Sequence, residues 1–108
     1  MVDKQKAQEE IQQIAEIIRK TIPVEQIYLF GSYAYGEPSE HSDYDFYVVI
    51  PDGSMRPIEA MQKARWALAQ DVQRMKSIDI LASTRSSFDE MKSLITLERT
   101  IDRRGIAL

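Results

Sequence analysis

The run DYDFYVVI at residues 43–50 constrains the fold of this chain more than any other segment. Apart from its aspartates it is apolar, and the turn signal PDGS follows it at residues 51–54, so it is predicted to be a strand. Two more short apolar runs, VEQIYLF at 24–30 and SIDILA at 77–82, are predicted to be strands as well. We expect these strands to pair in one small sheet.

Three segments with apolar residues at helical spacing, 3–20, 57–73 and 86–103, alternate with the strands. The inward face of the second is predicted to contain Ile58, Met61, Ala64, Leu68 and Val72. That of the third is predicted to contain Phe88, Met91, Leu94, Ile95 and Ile101. Asp3 could cap the first helix, Pro57 suits the first turn of the second, and Gly105 is a plausible stop for the third. The predicted fold is α/β (α+β), a small mixed sheet with helices packed on one side.

The composition is typical of one soluble globular unit. With 108 residues, 44% of them hydrophobic and 29% charged, residues 1–108 are expected to form a single domain. No apolar run reaches the roughly 20 residues of a membrane helix, so no membrane partner is expected. The absence of cysteine excludes disulfides and thiolate metal sites, and it favours the cytoplasm. The net charge of −3, without a basic stripe, argues against long nucleic acid as a partner.

Three aspartates lie in or beside the predicted strands. Asp43 and Asp45 are two residues apart, so in a strand both carboxylates project from the same face. Asp79 stands between two isoleucines in another short apolar run, where a carboxylate is costly unless it has a partner. Three such groups on neighbouring strands would repel one another, and a divalent cation would relieve that repulsion. The three aspartates are therefore predicted to hold Mg²⁺, in a two-metal site suited to displacement at phosphorus.

The polar loop before the second strand is predicted to bind phosphate. Gly31 and Ser32 follow the first strand directly, and a short helix beginning there would offer backbone N–H groups to an anion. Ser42 is added to the predicted nucleotide-binding residues, whereas His41, the single histidine, is expected on the loop surface. Taken alone, a Gly-Ser pair is usually a turn and an Asp-x-Asp pair is often a solvated strand end. The plainer alternative is a small α/β domain without chemistry.

Gly31-Ser32, ten residues and then Asp43-x-Asp45 resemble the signature of the polymerase-beta-type nucleotidyltransferase superfamily. The short chain is similar to the minimal nucleotidyltransferases of bacteria and archaea. This resemblance implies an α/β fold with a mixed sheet and a triphosphate-binding turn at Gly31 and Ser32. It also implies that Asp43, Asp45 and Asp79 are the catalytic metal ligands, although no motif fixes the spacing of Asp79.

The same resemblance implies a substrate and a partner. Small members of the family are commonly antitoxins that transfer AMP from ATP to a tyrosine of an all-helical HEPN-type toxin, with Mg²⁺ as cofactor. Two alternatives remain open at this point. The chain could block its partner by binding and occlusion with little catalysis, or it could be a subunit of a nucleotidyltransferase that modifies a small molecule. In each case a homo-oligomer or hetero-oligomer is expected, because a catalytic core of this size offers only part of a cleft.

Overall fold

The structure, a computed structural model, describes residues 3–39, 41–70 and 76–108. In chain order the elements are α1 (Lys4–Thr21), β1 (Gln26–Phe30), α2 (Ser32–Tyr35), β2 (Tyr44–Ile50), α3 (Pro57–Ala69), β3 (Ile78–Thr84), α4 (Arg85–Met91), α5 (Leu97–Arg104) and β4 (Ile106–Ala107). Among the helices just described, none combines the length and apolar character that crossing a membrane requires.

The strands form a mixed sheet in the order β3-β2-β1-β4, which confirms the predicted α/β fold with a mixed sheet. β2 lies between β1, to which it is antiparallel, and β3, to which it is parallel. β4 extends the sheet on the far side of β1, with Leu29 opposite Ile106. The sequence did not reveal β4, because a strand of two residues is too short to show an alternating pattern.

α1 and α3 pack on one face of the sheet. The strands turn alternate residues toward these helices, and the resulting core includes Ile27, Leu29, Phe46, Val48, Ile50 and Ile80. The helices contribute Ile14 and Ile18 from α1 and Ala60, Ala64 and Leu68 from α3. Asp3 caps α1 as predicted, its side chain accepting a hydrogen bond from the Lys6 amide at 3.1 Å.

The opposite face of the sheet is covered by α4 and α5, so the expectation that the helices pack on one side is wrong. The apolar run of β2 has buried side chains on both faces, and each face needs a covering layer. Here Phe88 and Ile101 pack with Tyr47 and Val49, the β2 residues that alternate with the first core. The Phe88 ring stacks on Tyr28 with 5.7 Å between centroids. Asp45 and Asp79 also project from the face that α4 and α5 cover, so the predicted site lies on the same side of the sheet as these two helices.

The predicted helix 86–103 is wrong as one element, because it divides into α4 and α5. The Thr96 side chain accepts a hydrogen bond from the Arg99 amide and so caps a new helix, while its hydroxyl donates to the Met91 carbonyl at 2.6 Å. Such hydroxyl bonds compete with the backbone ladder. Leu94 and Ile95, predicted to face inward, are 53% and 94% exposed.

The second predicted helix also differs in part from the structure. Ile58, expected on its inward face, is 49% exposed near the start of α3. The predicted helix continued to residue 73, and Val72 on its inward face lies outside the described residues.

Candidate active site

The sheet register brings the predicted site residues together at one end of the sheet. Asp45 lies opposite Asp79 in the parallel pair of β2 and β3. On its other side, Asp45 lies opposite Phe30, the last residue of β1, so Gly31 follows immediately beside it. Asp43 precedes β2 by one residue. Asp45 therefore lies at the centre of the predicted site, between the Gly-Ser turn and Asp79.

Asp79 and Asp43 both act electrostatically on Asp45. The pKa of the Asp45 carboxyl is raised from its ordinary value of 3.8 to about 6, first by burial, then by repulsion from Asp79 and from Asp43. A hydrogen bond with the Asp79 side chain also favours the protonated form. Asp43 and Asp79 are exposed, whereas Asp45 is partly buried. The carboxylates thus concentrate negative charge at a place that solvent can still reach.

These groups have the chemistry that Mg²⁺ prefers, namely a few carboxylate oxygens with room for water and phosphate. A cation could take the place of the proton that the raised pKa of Asp45 favours. Across residues 3–39, 41–70 and 76–108, no three acidic or imidazole side chains converge into a ready-made metal site. Because like charges repel, Asp43, Asp45 and Asp79 would be drawn together by the ion itself. Metal binding by this set stays a prediction.

Gly31 joins the phosphate-binding turn to the carboxylates. Its backbone has φ 75° and ψ −156°, a conformation accessible almost only to glycine. A Cβ added at Gly31 would overlap the carboxylate of Asp45. The main chain therefore passes directly against Asp45, which requires a residue without a side chain. The predicted short helix does begin here, as α2 at Ser32.

The loop between α2 and β2 uses Ser42 for its own geometry. The Ser42 hydroxyl accepts a hydrogen bond from the Ser39 amide at 2.9 Å, and the Ser42 amide donates to the Ser39 carbonyl at 3.1 Å. His41 is exposed, as predicted, and its amide donates to the Ser39 hydroxyl. These bonds give Ser42 a role in closing the loop, and its contact with nucleotide stays a prediction.

A basic residue that the sequence pattern did not indicate lies at the far end of α2. The Arg104 guanidinium lies 4.6 Å from the centroid of the Tyr35 ring, at the end of α2. Two other arginines are held by other contacts: Arg65 donates to the Ile80 carbonyl at 3.2 Å, and Arg85 pairs with Glu25 at 2.9 Å. No sequence pattern connects positions so far apart, so only the folded chain reveals Arg104.

The raised pKa of Asp45 predicts how stability depends on pH. The folded state binds the Asp45 proton more tightly than the unfolded state, so Asp45 lowers the free energy of unfolding as pH rises from 4 to above 6. Allowing for solvent screening, the loss is about 1 kcal/mol. The free energy of unfolding of Asp45→Asn is therefore expected to equal that of the wild type near pH 4 and to be larger at pH 7. Urea unfolding of both proteins across this range measures the difference, and an equal difference at every pH would contradict the predicted burial and repulsion.

Comparison with known proteins identifies the class to which this fold and site belong. The sequence profile described as "Nucleotidyltransferase domain" matches residues 11–103. Because this match covers most of the sequence, the chain belongs to the nucleotidyltransferase domain family. No curated protein sequence matches the chain at a significant level.

Solved structures with the same fold are similar to the chain at low sequence identity. A candidate nucleotidyltransferase from Sulfolobus solfataricus is 21% identical, with a TM-score of 0.56, over 74% of this chain and 68% of that one. A toxin–antitoxin determined with AMP-PNP is 21% identical, with a TM-score of 0.59, over 89% and 69%. A mutant of the toxin–antitoxin MntA–HpeT has the same identity and coverage, with a TM-score of 0.60. At this identity the similarity establishes the shared fold.

Proposed function

We propose that this nucleotidyltransferase transfers AMP from ATP to a tyrosine hydroxyl of a helical HEPN-type toxin, with Mg²⁺ as cofactor, and so acts as a cytoplasmic antitoxin. The observation that carries the proposal is the register that places Asp45 between Asp79 and the Gly-Ser turn. The family supports nucleotidyl transfer. Two structures of similar fold are toxin–antitoxins, one of them determined with AMP-PNP, which supports ATP and a toxin partner.

In this proposal each site residue has a separate task. The turn at Gly31 and Ser32 binds triphosphate oxygens through backbone N–H groups and the Ser32 hydroxyl. Asp43 and Asp45 would hold the Mg²⁺ that binds the triphosphate, and Asp79 would complete a second metal site near the acceptor. Bound Mg²⁺ would neutralise phosphate charge and make the acceptor hydroxyl more acidic.

The reaction itself is a displacement at the α-phosphorus. The acceptor oxygen forms a bond to that phosphorus while the bond to the leaving pyrophosphate breaks. The hydroxyl proton passes to the carboxylate of Asp79, which is exposed and therefore accessible to an acceptor. The products are an AMP ester of the acceptor and pyrophosphate.

Exposed apolar side chains on β3, α4 and the start of α5 offer a surface for the acceptor protein. We call them the apolar rim: Leu81, Met91, Leu94, Ile95 and Leu97. Leu81 lies two residues beyond Asp79 on the same face of β3. Its neighbour across the sheet, Tyr47, donates a hydrogen bond to Glu98 at 2.8 Å, which holds the start of α5 on this face. A protein that contacts Leu81 would lie beside Asp79.

Substitution in the apolar rim is expected to weaken binding of the acceptor protein. Ile95→Asp places a charge on a side chain that is 94% exposed, so the fold should survive while the contact is lost. We expect the Kd for the toxin to rise about tenfold or more. The matched control is Ile58→Asp, which changes a 49% exposed isoleucine of α3 on the other face of the sheet. Titration calorimetry measures both variants, and equal weakening by both would contradict this location.

Mass spectrometry of the toxin after incubation with this protein, ATP and Mg²⁺ tests the proposed function. Addition of one or more AMP units to a tyrosine, dependent on Asp45, would support it. A tight complex without any mass increase, with each of the four nucleoside triphosphates, would contradict catalysis and favour occlusion. AMP on a small molecule while the toxin stays unmodified would instead favour the small-molecule alternative.

A further inference from the structure

α2 is too short to hold its own geometry. It has only the four residues Ser32–Tyr35, and an isolated helix of that length is unstable in water. Its internal hydrogen bonds run from the Tyr35 amide to the Gly31 carbonyl and from the Gly36 amide to the Ser32 carbonyl, each at 3.1 Å. The turn that precedes it therefore depends on contacts with the rest of the molecule for a fixed position.

Arg104 supplies such a contact at the far end of α2. Its guanidinium lies over the Tyr35 ring and donates a hydrogen bond to the Tyr35 carbonyl at 3.4 Å. That carbonyl is at the end of a helix, where the last C=O groups lack intrahelical partners and attract a cation. Because the hydrogen bond is long, we assign the larger share of the contact to the stacked ring.

Arg104 is itself held in place by the strand that carries the turn. It is the last residue of α5, whose Ile101 is buried, and the Gly105 amide donates to the Ile101 carbonyl at 2.8 Å. The chain then enters β4, where Ile106 pairs with Leu29 of β1. A closed ring of contacts thus runs from β1 through the turn and α2 to Arg104, and back to β1 through β4.

We infer that Arg104 is a positioning residue, which fixes α2 and thereby holds the Gly31–Ser32 turn in the orientation that binds the triphosphate. This inference rests on the proposed function, because the turn that Arg104 orders is the proposed nucleotide site. Arg104 acts through Tyr35 and not by contact with the reacting atoms. Its planar guanidinium matters beyond its charge, since lysine cannot stack on a ring in the same way.

The test combines hydrogen exchange with nucleotide binding in the full chain. Arg104→Ala is expected to speed exchange of the Tyr35 and Gly36 amides and to raise the Kd for AMP-PNP with Mg²⁺ about fivefold. Arg104→Lys is expected to behave like the alanine variant. The matched control is Arg103→Ala, which removes the same charge from the next exposed residue and should leave both readouts near wild type.

The other outcomes separate this inference from the proposed function. Faster exchange with unchanged affinity would overturn the inference, because Arg104 would then stabilise α2 without affecting the turn. Weaker affinity with unchanged exchange, or full rescue by lysine, would overturn it in favour of a direct charge effect on the triphosphate. If the wild type itself does not bind AMP-PNP, the proposed function fails, and the exchange rates still report whether Arg104 orders α2.

Discussion

Asp45→Asn is expected to reduce nucleotidyl transfer about 10³-fold or more, since it removes the central carboxylate from the predicted metal site. Asparagine has nearly the same shape, so the sheet should remain intact. The variant should also be more stable than the wild type at neutral pH in the absence of metal, because burial and repulsion from Asp79 and Asp43 oppose ionisation of Asp45. Loss of activity together with a gain in apo stability is the signature of a carboxylate retained for function.

Steady-state transfer rates and thermal unfolding of the same preparation measure both effects. Glu37→Gln is the matched control, because it removes one exposed negative charge from the loop that contains the predicted phosphate site. That variant should keep most of the activity and show no gain in stability. If Asp45→Asn kept wild-type transfer rates, the assignment of the site would be wrong.

Gly31→Ala is expected to lower both stability and activity. Alanine at this position would have to adopt φ 75°. Its methyl group would overlap the Asp45 carboxylate. Strain and overlap together should cost about 3 kcal/mol of unfolding free energy. Displacement of the turn from the carboxylates should lower the rate of transfer about 100-fold.

A second glycine separates the two causes. Gly53 has a similar φ of 77°, but a Cβ there would meet nothing within 4 Å. Gly53→Ala therefore measures the cost of a positive φ without any overlap, about 1 kcal/mol, and should leave activity unchanged. In an Asp45→Ala background, Gly31→Ala should be less destabilising than in the wild type, since the overlap is gone. Equal costs in both backgrounds, measured by urea unfolding, would contradict the close approach of Gly31 to Asp45.

Short sequence patterns were sufficient to predict three of the strands, the start of α3 and the pair of carboxylates. The apolar runs placed β1, β2 and β3 within two residues of their observed bounds, and Pro57 begins α3 as expected. The spacing of Asp43 and Asp45 was sufficient to predict a carboxylate site, because a strand places alternate residues on one face. Placing Asp79 beside this pair also requires the sheet register, since the parallel pairing of β2 and β3 brings Asp79 opposite Asp45.

Of the features that were missed, the helix break is local, whereas β4 and the Arg104 contact join distant segments. The break between α4 and α5 arises where Thr96 begins a new helix, although the apolar spacing continues through Leu94 and Ile95. β4 exists because Ile106 finds a partner in β1. Arg104 reaches Tyr35 because the pairing of β4 with β1 brings the end of α5 beside α2. For β4 and Arg104 the decisive interaction joins residues that no short sequence window contains.

Label transfer from ATP tests nucleotidyl transfer at this site most directly. The protein, Mg²⁺ and the toxin would be incubated with ATP radiolabelled at either the α- or the γ-phosphate, and with an excess of chelator as the control. We predict that the α-label becomes attached to the toxin, that the γ-label is released as pyrophosphate, and that chelator or Asp45→Asn abolishes both. Attachment of the γ-label, or attachment of the α-label that persists in Asp45→Asn, would contradict nucleotidyl transfer at these carboxylates.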